Sequence, residues 1–425
     1  MEVCEPQLKK AKVSFQEPLP QETTPPSSSL HHQLEEGMQS PSNTSLFFRI
    51  VSSRNDLSSS AAWFHPTFTY PVYGTEEIIM GYENLNIRIT LHATTLFAHV
   101  TMTHDAKEGD AVDPLVALYP HLPNGYTLDE NRFYATFDFQ APSILPGNLY
   151  FSFENENKLK KKNGHFELYS CSLENKEMQL WHNRMEALAP FFIEGADAIT
   201  VDQESSGKWT VYHLWEMSEG AEGKNRAATR FAGYTTKYSF CNPVCAGSTA
   251  DQDTIERICQ VLLLPPFQRQ GHAKCMVTTI MKDALSNKRV FMMTVEDPVP
   301  AFSAVRDVVD VSHCGLYNGW DALVDRTPMT PLSKKEKETI SRKMKITTAQ
   351  IEKCFEMLMY REVTKRGNEE RERQFRLMMK RKLYAEMEEI PHADRRKAIL
   401  QAAYAEKMKY YQTILKKSST PKQYP

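Results

Sequence analysis

Apolar and polar positions alternate through LNIRITLHATTLFAHVTMTH, Leu85 to His104, and many of the apolar residues are β-branched. A two-residue period puts successive side chains on opposite faces, which predicts strand. RFYATFDF and NLYFSFE are aromatic-rich segments that predict two further strands, with Pro and Gly between them. EMQLWHNRMEALAPFF changes period and predicts a helix, with Leu180, Met185 and Leu188 near one face. IEGADAITVD, Ile193 to Asp202, predicts a strand before the turn chemistry of ESSG. KWTVYHLWEM and RFAGYTTKYSF continue as strands of an antiparallel meander. ERICQVLLL and RVFMMTVED are two more strands. Between them Ala273, Met276, Val277, Ile280, Met281, Ala284 and Leu285 form the i, i+3, i+4 stripe of a core-facing helix. Beyond Pro331 the chain turns helical and highly charged, in KKEKETISRKMKITTAQIEKCFEMLMYREV and ERERQFRLMMKRKLYAEMEEI. Mixed Lys, Arg and Glu there read as solvated faces with i, i+4 pairs or as a polyanion site.

These patterns divide the chain into a disordered tail at 1–44, a mixed α/β N-terminal domain at 45–190, a core at 191–325 and a helical C-terminal domain at 326–425. The tail is rich in Pro, Ser, Gln and Glu and has few large apolar groups to offset ordering entropy. Its Lys9, Lys10 and Lys12 are either a nuclear import signal or a solvated charge cluster.

The chain has 425 residues, 41% hydrophobic content and a formal net charge of −2. That is an ordinary globular composition, without the basic excess of a general nucleic-acid binder, so no direct nucleic-acid partner is expected. No apolar run approaches the roughly 20 residues of a membrane span, and MEVCEPQLKKAKVSF has no apolar signal region, so no membrane association is expected. Its eight cysteines are then expected as thiols in a reducing compartment. Cys241 and Cys245 are a close pair without a second ligand pair, so no metal site is expected.

The chemistry concentrates in PFQRQGHAK, Pro266 to Lys274, between an apolar strand and an amphipathic helix. No GK[ST] or GxGxxG is present, which excludes a Walker or dinucleotide loop. Gln268, Arg269, Gln270, Gly271, His272 and Ala273 fit Q/R-x-x-G-x-G/A, the pyrophosphate loop of the GNAT N-acetyltransferases. A helix N-terminus presents N–H groups and a positive dipole end to an anion, and Gly271 permits close backbone approach. Cys259 and Cys275 flank the loop, in apolar positions without a matching His partner, and read as core thiols rather than nucleophiles.

The wider sequence resembles the type B histone acetyltransferases, within the GNAT superfamily. QVLLLPPFQRQGHA followed by MMTVEDP is similar to that family's catalytic core. YGTEEIIMGYENL, Tyr73 to Leu85, resembles its histone-tail segment, and FFIEGADAITVD and AGYTTKYSF fall in the family's order. The resemblance runs from about Phe68 to the C-terminal helices. It implies an α+β fold: a GNAT-type mixed sheet with flanking helices, between a mixed α/β N-terminal domain and a helical C-terminal domain. It implies acetyl-CoA as co-substrate, with Val261, Leu262 and Leu263 pairing with the pantetheine arm through backbone groups and Gln268 to Ala273 around the pyrophosphate. Glu296 matches the general base, with Glu194 and Asp297 as supporting carboxylates. Thr75, Glu76 and Glu77, with Tyr238, Ser239 and Phe240, match the tail-binding surface. The chain departs from that pattern at Ala301, where a serine can contact the cofactor, and at Arg269, where Gly is common. Thr75 also replaces an acidic residue.

The implied activity is acetyl transfer to tail lysines of newly made histone H-four, alone or with its histone dimer partner. A WD-repeat histone-binding partner, a role in chromatin assembly and a location in nucleus and cytoplasm are implied with it. Lysine's pKa of about 10.4 demands a base, and a carboxylate lifted by burial and by neighbouring acids would serve. Strand-end N–H groups could stabilise a developing oxyanion. Alternatives are another amine as acceptor, or a catalytically silent acyl-CoA-binding scaffold.

Overall fold

The computed structural model describes residues 38–58, 63–123, 126–138, 145–157, 162–217, 228–243, 252–387 and 392–418. Order begins earlier than the composition predicts. Gln39–Pro41 (β1) pairs antiparallel with Ile78–Met80 (β3), and Ser42–Ser45 forms a short helix (α1). Ser40 Oγ donates to the Tyr82 carbonyl at 3.0 Å, and the Ser42 and Thr69 hydroxyls meet at 2.6 Å. Backbone pairing and buried hydroxyl bonds hold 39–44 where apolar burial could not, so the expected disorder through residue 44 is corrected there.

Leu46–Val51 (β2) runs parallel to Asn86–His92 (β5), which pairs antiparallel with Ala98–Thr103 (β6). The long alternating segment is therefore a hairpin. Arg54–Ser58 (α2), Tyr70–Tyr73 (α3) and Pro114–Leu118 (α4) are short helices around this sheet, and Tyr82–Glu83 (β4) pairs with Ala106–Lys107 (β7). RFYATFDF is not a strand. Glu130–Tyr134 is helical (α5) and Ala135–Asp138 is a 3-10 turn. The Asp129 carboxylate caps it, accepting from Asn131 N at 2.9 Å, and Phe133 is buried. A cap outweighs the β preference of the aromatic residues.

The large sheet has six strands: Asn148–Asn157 (β8), Lys162–Ser172 (β9), Trp209–Met217 (β10), Ala228–Cys241 (β11), Thr254–Leu263 (β12) and Val290–Val295 (β13). Its order is β13-β12-β11-β10-β9-β8, antiparallel throughout except for the parallel β12–β13 pair. Strands β8 and β9 precede residue 190 and pair within this sheet, so the boundary expected at 190/191 falls between partners of one sheet. Lys176–Glu186 (α6) packs on it through Met178, Trp181, His182 and Met185, whereas Leu180 is 66% exposed. Leu180 lies about 200° round the helix from Met178, off the buried face.

His272–Ser286 (α7) is the crossover between β12 and β13, and its predicted stripe is buried: Met276, Val277, Ile280, Met281 and Ala284. Pro300–Cys314 (α8), an unforeseen helix, packs beside it, followed by Trp320–Asp325 (α9). Lys334–Met344 (α10), Thr348–Arg366 (α11), Glu369–Ala385 (α12) and Ala393–Ser418 (α13) complete the helical C-terminal region. Lys345 at φ 52° separates α10 from α11, and Ser333 and Thr347 cap their starts. The whole is a GNAT-like architecture: an N-terminal α/β region, a curled mixed sheet flanked by helices, and a helical C-terminal region.

Candidate active site

Strand β12 has partners on both sides only over its first half. Arg257 pairs with Tyr238 and Thr294, and Ile258 with Lys237 and Val295. A final bond, Glu296 N–H to the Ile258 carbonyl at 2.9 Å, closes the pairing with β13. Strand β13 then ends, while β12 continues to Leu263. Among the described residues no strand lies along the β13-facing edge of Cys259–Leu263. At the divergence the register with β11 shifts between Thr235 and Lys237, and the Gln260 N–H turns to Thr236 Oγ1 at 3.0 Å. Such a bulge re-aims the chain. Leu262 and Leu263 keep their side chains buried. A ligand along this edge could meet Leu262 and Leu263 through their backbone groups, whereas Val261 is half-buried.

After β12, Pro265–Phe267 makes a 3-10 turn and the chain enters α7 through Gly271 at φ 91°. Gln268 Nε2 donates back to the Leu263 carbonyl at 2.8 Å, and Gln270 Nε2 to the Pro266 carbonyl at 2.7 Å. Both glutamines brace the loop itself. The first helical bond runs from Cys275 N–H to the Gly271 carbonyl, so His272, Ala273 and Lys274 form the first turn at the helix mouth. His272 corrects one expectation. Its imidazole is fully buried, 4.3 Å from the Phe166 ring and 5.8 Å from that of Phe153. Only its backbone can meet a phosphate. Arg269 is exposed with φ 62°, a left-handed conformation that explains why glycine suits this position. The unpaired strand edge and the helix mouth lie at one end of the sheet, and together they fit an extended amide-containing arm ending in a diphosphate.

On the rim, Glu296 stands at the end of β13 with its side chain 49% exposed and Arg257 Nη1 at 3.8 Å. The burial expected for it is not observed. The Arg257 guanidinium lies 5.1 Å from the Phe240 ring, which stacks on Tyr238 at 6.2 Å; Tyr238 in turn contacts Trp209 at 4.7 Å. Arg257 thus joins the candidate base to two candidate substrate-binding aromatics. Ser239 falls on the opposite face by strand alternation, with Lys237 and its buried 2.6 Å ion pair to Glu256. Beside Glu296, burial pushes the Cys259 thiol up to about 12, and the Glu296 carboxylate pushes it the same way. Burial pushes Cys275 up to about 12 as well. Neither is a thiolate nucleophile at neutral pH.

Asp297 is exposed at φ 27°, turning the chain off the strand before Pro298. Glu194 is exposed in a segment predicted as a strand that forms none. Gly195 at φ 65° breaks the extended run, and side chains replace the ladder. Gly195 N–H donates to Tyr70 Oη at 2.8 Å, and Ile199 N–H to Glu186 Oε1 at 2.7 Å. Gln260 Nε2 donates to the Asp197 carbonyl at 2.9 Å and to Glu186 Oε1 at 3.3 Å. Burial pushes the Glu186 carboxyl up. Among the described residues no hydrogen bond or ion pair joins Glu194 to Glu296 or Asp297.

The Tyr73–Leu85 segment divides in two. Thr75 and Glu76 are exposed in the turn after α3. Glu77 turns inward: its Oε1 accepts from Thr69 N at 2.5 Å, Thr69 Oγ1 at 2.9 Å and Tyr70 N at 3.1 Å. It caps α3, so a direct contact of that oxygen with a basic tail is displaced by a structural one.

A family model described as "Histone acetyl transferase HAT1 N-terminus" matches residues 38–194. The type B histone acetyltransferase catalytic subunit of Cryptococcus neoformans is 28% identical over 385 residues, covering 83% of this chain and 89% of the relative. That of Kluyveromyces lactis is 27% identical over 391 residues, covering 86% and 92%. Over most of its length the chain is similar to type B histone acetyltransferase catalytic subunits. The catalytic subunit of Pyricularia oryzae is 30% identical over 294 residues, covering 63% of this chain and 61% of the relative. Family and fold make this an acetyl-CoA-utilising GNAT-type enzyme.

Several residues of this candidate site were not anticipated: Arg257, Gln260, Glu186 and Tyr70. Gln260 carried a signal, a polar residue inside the apolar run ICQVLLL. The other three carried none, because their partners lie on distant segments. Ala301 is exposed in the first turn of α8. Cys245 and the Lys9–Lys12 cluster fall outside the described residues.

Proposed function

We propose that the chain transfers acetyl from acetyl-CoA to lysines in the N-terminal tail of newly synthesised histone H-four, directly, with Glu296 as general base. The observation that carries this reading is the divergence of β12 from β13, with Glu296 at one arm and the loop–α7 mouth at the other. Acetyl-CoA supplies an activated acyl group as a thioester. Backbone groups of Val261 to Leu263 hold its arm, and the N–H groups of Gly271 to Lys274 hold its diphosphate. Glu296, half exposed, can receive a proton from the lysine Nζ as that nitrogen bonds to the acyl carbon and the C–S bond breaks. Arg257 orients the carboxylate, and Tyr238 and Phe240 offer faces for the lysine stem. Glu194 and Asp297 act as supporting carboxylates for the proton transfer at the reacting lysine, and Glu76 supplies negative charge toward a basic tail.

The resemblance to the family implies the partners: a histone H-four tail, with or without its dimer partner, and a WD-repeat histone-binding protein in chromatin assembly. The corresponding location is nucleus and cytoplasm. Imaging the tagged chain after replacing Lys9, Lys10 and Lys12 with Ala tests whether those lysines drive nuclear entry.

The deciding experiment is incubation with acetyl-CoA and a panel of histone-tail peptides, read by mass spectrometry. Acetylation confined to H-four lysines is the expected result. Acetylation of other amines alone replaces the acceptor. Acetyl-CoA binding with no transfer to any amine replaces the enzyme by a scaffold.

A further inference from the structure

Among the described residues the segment that carries Glu194 has no sheet partner, yet three side-chain bonds pin it. We propose that Tyr70 and Gln260 are positioning residues that hold the Glu194 segment against the reacting end of β12, one from the N-terminal region and one from the sheet. This rests on the role given to Glu194 above.

The Gly195 N–H that donates to Tyr70 Oη at 2.8 Å belongs to the peptide unit joining Glu194 to Gly195. The bond therefore fixes the backbone immediately beside the carboxylate residue. Tyr70 is itself held, since Glu77 Oε1 accepts its N–H at 3.1 Å and its ring meets Phe68 at 5.9 Å. Glu77 thereby acts on the Glu194 segment through Tyr70.

Gln260 works from the other side. Its Oε1 accepts from Tyr234 Oη at 2.7 Å while its Nε2 reaches Asp197 O and Glu186 Oε1. A side-chain amide has one acceptor oxygen and two N–H donors, so these contacts fix its orientation. Gln260 is buried, as are Tyr234 and Glu186, which makes an unmade bond costly. Gln260 and Cys259 are neighbours in the bulge of β12. Cys259 lies against Glu296, and Gln260 grips the Glu194 segment. One irregularity in one strand thus sets where both carboxylate-bearing segments stand.

The test uses the full chain with Tyr70→Phe and Gln260→Met, each alone and combined with Glu194→Gln. Tyr70→Phe removes a single oxygen and keeps the ring, so it remains informative if Gln260→Met does not fold. With saturating acetyl-CoA and tail peptide, each pin variant should lower kcat about three- to ten-fold, the scale of one hydrogen bond. Acetyl-CoA Kd by calorimetry should stay within about two-fold, because the loop–α7 mouth is untouched. In the Glu194→Gln background the further loss should vanish. Amide exchange at Gly195 should quicken in Tyr70→Phe. Losses that multiply with Glu194→Gln would overturn the proposal, as would unchanged kcat with unchanged Gly195 exchange. If Glu194→Gln alone is fully active, the catalytic role of Glu194 falls; the tether then stands on faster Gly195 exchange and falls without it.

Discussion

The rim of β12 and the interior of the C-terminal helices both gather carboxylates with cations and aromatic rings, yet they do opposite things. On the rim, Glu296 is half exposed, with Arg257 a loose 3.8 Å away. Among the helices, Asp307 is 1% exposed and bound by Lys353 Nζ at 2.5 Å, Gln350 Nε2 at 2.7 Å and Tyr410 Oη. Glu356 takes Lys382 Nζ at 2.6 Å, Lys407 Nζ at 3.3 Å and Tyr411 Oη. Burial pushes Asp310 up to about 6 and lifts the Tyr411 hydroxyl and the Cys354 thiol as well. Perturbed titration here marks structural joints between α8, α11, α12 and α13. Strong perturbation is a sign of burial, and a group that must meet a substrate has to keep some access to it.

The contrast breaks first at Glu296. Glu296→Gln keeps shape and cannot take a proton, so kcat should fall about 10²–10⁴-fold. Thermal stability and acetyl-CoA affinity should be unchanged; a matching loss of either would make Glu296 another structural joint.

Glu356→Ala should do the reverse. Removing the shared partner of Lys382, Lys407 and Tyr411 should cost about 3 kcal/mol in urea unfolding, at the low end for a broken buried pair because both lysines reach solvent. Turnover per folded molecule should hold, and a selective loss of kcat would extend the active site into the helices.

Asp310 sharpens the comparison through pH. Burial holds its folded-state pKa at about 6, above the ordinary carboxylate value of 3.8, so the folded chain binds that proton more tightly. Stability should therefore decline as pH rises from about 4 to 6 and remain lower above that window. Asp310→Asn should flatten this limb in melting curves, and an unchanged slope would assign it to another group.

The smallest effect is at Arg269. Its left-handed backbone predicts that Arg269→Gly relieves strain and offsets the added chain entropy, for a net gain of about 0.5 kcal/mol. The same change should weaken acetyl-CoA binding by about 1 kcal/mol and reduce its salt dependence, through loss of a charge-assisted donor. Equal affinity and equal salt slope would mean that the guanidinium points to solvent.

Legibility followed the range of the forces involved. The meander, α7 and the charged helices could be read because a repeat of two or of 3.6 is written locally. RFYATFDF and IEGADAITVD misled because their alternation is real but other bonds win. Asp129 caps the first into a helix, and Gly195 with the pins from Tyr70 and Gln260 holds the second off the sheet. Leu180 shows the limit of a stripe judged by eye, since its angular place on α6 leaves it in water.

By itself the sequence determined the order of elements, the glycine at the mouth of α7, the strand that ends in Glu296 and, through its motifs, the family. Those features depend on neighbours within a few residues. Tertiary structure alone decided that β13 leaves β12 at Ile258, that His272 is packed among phenylalanines, that Glu77 caps a helix, and that Arg257 ties Glu296 to Phe240. Each depends on a partner far along the chain, where direction and distance are set by how sheets twist and helices pack. A one-dimensional pattern specifies which side chains exist and on which face they begin; only the folded chain specifies what they meet.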